Sequence, residues 1–141
     1  MKRLAVAVAL GVLVLASVGE AAPRPTVIAK SSRYGKILFD GRGYVLYAFT
    51  KDARGRSACA GDCARAWPPY FAKGALRVGE GLQSSKIGTI KRAGGRLQVT
   101  YAGRPLYYYV GDDGPGVIRC QNVFEFGGDW LVLRPSGALV R

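Results

Sequence analysis

Three cysteines and a scatter of carboxylates are the groups in this 141-residue chain whose types and spacing allow chemistry, and no histidine accompanies them. Without imidazole there is no Ser-His-Asp or Cys-His nucleophile and no histidine metal ligand. Cys59 and Cys63 have three residues between them, one of them Gly61, while Cys120 lies far downstream. In an oxidising compartment nearby thiols pair and an odd one is left over. A Cys59–Cys63 disulfide is expected, since so short a loop holding a glycine can bring the α-carbons within bonding range. The alternative joins Cys120 to either of them and staples the two halves of the chain. With the first pairing Cys120 is a lone thiol, expected to be buried because an exposed one would oxidise. The chemical rival is a periplasmic redox or copper-handling protein, using Cys59, Cys63 and Cys120 for thiol exchange or for Cu(I). A site of thiolates alone would need a fourth donor, for which Asp62 is the candidate, so no metal or cofactor is expected.

Two carboxylates can hydrolyse a glycoside unaided. Here, though, Asp112 and Asp113 adjoin Gly114-Pro115-Gly116, a turn context, and Glu80 lies in a glycine-rich turn. Glu125 falls in an expected strand, and Gly79-Glu80-Gly81 lacks the lysine and hydroxyl of a phosphate loop. No catalytic residue is assigned, and an enzyme is not expected.

The elements that must position these groups come in two copies. Leu46-Tyr47-Ala48-Phe49-Thr50-Lys51-Asp52 recurs as Leu106-Tyr107-Tyr108-Tyr109-Val110-Gly111-Asp112. Each follows a Gly-Arg pair and each leads to a tryptophan, Trp67 and Trp130. That spacing suits a duplicated supersecondary block rather than a solenoid. In a strand Tyr47 and Phe49 share a face, as do Tyr107 and Tyr109. Asp52 and Asp112 then fall at strand ends, where a carboxylate accepts backbone amides. Two readings stay open: the aromatics are core and the aspartates turn caps, or the six residues form an aromatic and acidic binding face. Trp67, Pro68, Pro69 and Trp130 are expected to be structural anchors.

Glycine and proline punctuate short runs of aromatic and β-branched residues, so the fold is expected to be all-β. Strands are expected near Ile37–Phe39, Tyr44–Phe49, Ile87–Lys91, Leu97–Tyr101, Arg104–Val110, Val123–Phe126 and Trp130–Arg134. Asp40-Gly41-Arg42-Gly43 and Ala93-Gly94-Gly95-Arg96 read as tight turns. A helical turn around Gly61 to Trp67 should stop at Pro68-Pro69. The result is one small antiparallel domain over residues 34–141, a sandwich or barrel-like, with repeats at about 34–72 and 96–137. A flexible segment over 22–33 is expected to precede it.

Met1-Lys2-Arg3, an apolar run from Leu4 to Val18 and small residues at Gly19 and Ala21 read as a secretory signal helix over 1–21, cleaved after Ala21. An uncleaved anchor is the alternative. Export leaves 19 basic and 8 acidic residues, a net charge of +11. Such a chain is drawn to anionic envelope components, and no nucleic-acid motif is present. The basic residues form no run beyond Lys91-Arg92. An extracytoplasmic monomer is expected, in the periplasm or secreted.

Tyr47-x-Phe49-x-x-Asp52, followed by Ser57-x-Cys59-x-Gly61-x-Cys63-Ala64-x-x-Trp67-Pro68-Pro69, resembles the bacterial predicted lipoproteins with a Yx(FWY)xxD motif, also described as a secreted repeat of unknown function. Tyr101-x-Gly103-x-Pro105-Leu106-Tyr107-Tyr108-Tyr109 and Gly127-Gly128-Asp129-Trp130 resemble that family's other repeat. The resemblance covers roughly residues 34–137 and implies a non-catalytic envelope protein, structural or ligand-binding, built from tandem repeats. Many relatives look lipid-modified at an N-terminal cysteine. This chain has none there, so no lipid anchor is carried over.

Overall fold

The computed structural model describes residue 14 and residues 16–141. The signal helix expected from Leu4 lies outside the described residues through Leu13 and at Leu15. Among the described residues no helix is long and apolar enough to cross a membrane.

The described chain is all-β. Its strands are β1 (Val27–Ser32), β2 (Gly35–Asp40), β3 (Tyr47–Phe49), β4 (Ile87–Lys91), β5 (Leu97–Tyr101), β6 (Arg104–Pro105), β7 (Val123–Glu125) and β8 (Gly128–Val132). They form three antiparallel sheets in the orders β1-β2, β3-β8-β7 and β4-β5-β6. One short α-helix, α1 (Asp62–Ala66), runs up to Trp67, where Pro68-Pro69 bars its continuation, and a single 3-10 turn (Ser84–Lys86) precedes β4. Both expected turns are present. Gly94 and Gly95 take φ of +83° and +85° between β4 and β5, a conformation open to glycine at little cost. After β2, Asp40 Oδ1 accepts the amides of Arg42 and Tyr44 at 2.9 Å each, holding the turn that returns the chain towards β3.

Within residues 22–33, expected to be a flexible segment, Val27–Ser32 are instead an ordered strand. Val27 to Ser32 pair along their whole length with β2, from Val27 against Asp40 to Ser32 against Gly35. Val27 is buried, and the strand is fastened on its other side by the Gly79 amide donating to Val27 O at 2.8 Å. The polar Lys-Ser-Ser end hid the strand, and the long-range ladder overrides that weak local preference. Four other expected strands are trimmed: Val123–Phe126 ends at Glu125 and Trp130–Arg134 at Val132. Tyr44–Phe49 narrows to β3, and in Arg104–Val110 only β6 is regular, because residues 106–110 bond to several different segments in turn.

The small sheets are tied together by amides such as Leu38 N–H to Leu133 O (3.0 Å) and Leu46 N–H to Leu38 O (3.2 Å). Two hydrophobic clusters result, one on each side of the motif strands. Tyr47, Phe49, Tyr107, Trp67 and Trp130 belong to the first, while Leu46, Ala48 and Leu106 belong to the second. Alternation along each copy therefore fills two cores at once, in β3 as in the extended segment that follows β6.

Candidate functional site

The two motif copies meet back to back. Tyr47 and Tyr107 exchange backbone hydrogen bonds, each amide donating to the other's carbonyl at 2.9 Å. Their side chains then cross between copies. The Tyr47 phenol donates to Asp112 Oδ2 at 2.7 Å, and the Tyr107 phenol donates to Asp52 Oδ2 at 2.7 Å. The other oxygen of each carboxylate accepts a backbone amide, Ala58 for Asp52 (2.6 Å) and Arg119 for Asp112 (2.9 Å). Each repeat is thus completed by the other about a local twofold.

The tryptophans follow the same symmetry. Trp67 and Trp130 stack with centroids 4.1 Å apart and planes 6° apart. Tyr47 meets Trp67 edge-on at 5.2 Å, as Tyr107 meets Trp130 at 5.1 Å. Phe49 stacks on Trp130, its partner across β8, and Tyr109 lies against Trp67. Val110 N–H to Ala66 O and Tyr108 N–H to Pro68 O are the matching backbone bonds in the other copy. Both indoles are fully buried and reach Glu125, Trp67 at its carboxylate (2.9 Å) and Trp130 at its carbonyl (3.2 Å).

The candidate binding face of Tyr47, Phe49, Asp52, Tyr107, Tyr109 and Asp112 is brought together, but as core. Tyr47, Phe49 and Tyr107 are at most 1 % exposed, and only Tyr109 and Asp52 reach partial exposure. No ring face of the first three is open to a ligand. Burial, with Asp112 second, pushes the Tyr47 phenol far above its ordinary value; burial also dominates at Tyr107. Burial raises both carboxylates too, against the lowering effect of the bonds they accept.

Cys59 and Cys63 form a disulfide with α-carbons 5.3 Å apart, and both are buried. Around it, Arg92 donates to Ser57 Oγ (2.5 Å), Gln98 Oε1 (2.7 Å) and Cys59 O (2.5 Å). Cys120 is a free thiol, half-buried rather than fully buried as expected. Its position has a structural reason. Ala58, before Cys59, and Arg119, before Cys120, make equivalent bonds to the two motif aspartates. Cys120 is therefore the counterpart of Cys59, in a repeat whose following residues include no counterpart of Cys63.

The concave site lies elsewhere. A cavity of about 530 Å³ is lined by the aromatics Tyr70, Phe71 and Tyr108 and by the cations Arg24, Arg42, Lys73, Arg77 and Arg96. Its one carboxylate, Asp40, is buried and occupied: it accepts from the Tyr108 phenol at 2.8 Å and pairs with Arg42 at 3.0 Å. The other four cations make no ion pair among the described residues. This grouping is not visible in the sequence. Its basic residues are spread from position 24 to position 96, and no local signal marks them.

No curated protein and no solved structure matches the chain. The family model described as a secreted repeat of unknown function matches residues 29–70 and 88–134, more than half of the chain, as two repeats. The chain belongs to that family of secreted repeats, which agrees with an extracytoplasmic location.

Proposed function

We propose that this protein is a non-catalytic extracytoplasmic module of the cell envelope that binds an anionic envelope component, working as a monomer without metal or cofactor, in the periplasm or outside the cell. The basic cavity carries the reading: four cations with no carboxylate partner among the described residues line one concavity, in a chain of high net positive charge. Catalysis has little to draw on. There is no histidine, and both motif carboxylates are held by a tyrosine and a backbone amide. The redox rival has less support, since both bridged sulfurs are buried and Cys120 makes no disulfide.

The test is equilibrium binding of the secreted form to an immobilised polyanionic envelope polymer and to a neutral polysaccharide, at low and high salt. Binding to the polyanion alone, weakening steeply as salt screens the charges, is expected. Equal retention on the neutral matrix, or none on the polyanion, refutes the proposal.

A further inference from the structure

We infer that the basic cavity is a preformed site for an acidic saccharide, a sugar ring carrying phosphate or carboxylate. This names a ligand class for the proposed function and rests on it. Three of the four unpaired cations are arginines, whose planar forks match the oxygens of phosphate and carboxylate two at a time. Three aromatic rings, Tyr70, Phe71 and Tyr108, line the cavity beside these cations. The Tyr70 phenol donates to Thr26 O (2.8 Å) and the Tyr108 phenol to Asp40 (2.8 Å), and the two rings pack together with centroids 5.1 Å apart, which holds both in place at the cavity. The Arg96 guanidinium lies over the Phe71 ring, 3.5 Å from its centre, a cation–π contact that holds this cation at the cavity. A cavity of this volume takes a small organic molecule, not a bare ion alone.

The walls are fixed without a ligand. Thr26 N–H donates to Arg77 O at 2.7 Å and the Arg77 amide donates to Thr26 Oγ1 at 3.0 Å. Pro25 lies so close over Gly41 that a methyl group added there would collide with the Pro25 carbonyl. A lipid fits less well. Among the described residues the exposed large hydrophobics are Val14, Val18, Leu97, Val110, Phe124 and Phe126, and none of them belongs to the cavity lining.

Calorimetric titration should use a hexose phosphate, an oligouronate, the neutral hexose, inorganic phosphate and phosphatidylglycerol vesicles as probes. The site predicts binding of at least one of the two acidic saccharides, and weaker binding of hexose or phosphate alone by about tenfold or more. Arg77→Gln with Arg96→Gln should weaken it by about tenfold or more while the near-ultraviolet tryptophan signal stays unchanged. Gly41→Ala, which removes no charge but displaces the wall, should weaken it as well. Unchanged saccharide binding in both variants overturns the pocket yet leaves the broader proposal standing. Pocket-dependent binding of vesicles but not saccharides overturns the ligand class, as does inorganic phosphate binding as tightly as the hexose phosphate. Binding to no anionic probe overturns both readings.

Discussion

Replacing Tyr47 with phenylalanine removes a single hydroxyl from the centre of the interlock. The phenol is fully buried, and Asp112, which accepts from it at 2.7 Å, is 8 % exposed. A hydrogen bond to a charged group contributes roughly 1.5–3 kcal/mol, and the orphaned oxygen has little access to water. Asp112 keeps the Arg119 amide on its other oxygen, so the lower half of that range applies, about 2 kcal/mol. For a domain of this size that lowers the melting temperature by about 8 °C. Urea unfolding followed by tryptophan fluorescence reads it directly, with the midpoint lowered and the slope unchanged. The mirror change Tyr107→Phe should cost less, about 1 kcal/mol, because Asp52 is more exposed. A double-mutant cycle of Tyr47→Phe with Asp112→Asn should recover most of the loss as coupling between the two sites. A Tyr47→Phe variant within about 0.5 kcal/mol of wild type, the range of ordinary surface changes, refutes the cross-repeat bond as a stabilising contact.

Alkaline pH attacks the same centre. The Tyr47 and Tyr107 phenols have folded values above their unfolded value, so their contribution is complete below about pH 10 and lost as pH rises beyond it. At pH 11 the two together should remove about 3 kcal/mol, with phenolate absorbance of these residues appearing only as the chain unfolds; normal titration of all eight tyrosines in a folded chain contradicts this. Trp67→Ala empties the stack against Trp130 and should cost roughly 3–5 kcal/mol, measured by thermal melting. Replacing Cys59 and Cys63 together by serine should cost only about 2 kcal/mol by denaturant titration, because so short a loop gains little from closure.

The sequence showed that there were two copies, and why each strand alternates, but not how the copies interlock. Tyr47 and Asp52 are near neighbours in sequence, so local reading pairs the aspartate with its own turn. It does cap that loop through Ala58, yet its other oxygen serves the tyrosine of the opposite copy. That partner is fixed by topology, which spacing does not encode. Strands β4 and β5 were legible because a glycine pair sets their register. Strand β1 was not, since its apolar residues stop after three positions and β2 supplies the rest of its stability. The basic cavity was least legible of all. Arg24, Arg77 and Arg96 come from separate segments, and only the fold brings them to one mouth.

The most direct test of the anion-binding role is amide chemical-shift mapping of the labelled secreted form as the hexose phosphate or oligouronate is added. The basic cavity predicts saturable shifts gathered at residues 24, 26, 41–42, 70–77 and 96, with the disulfide loop at Cys59 and Cys63 unmoved. Shifts absent, spread evenly over the surface, or centred on Cys59, Cys63 and Cys120 would contradict it.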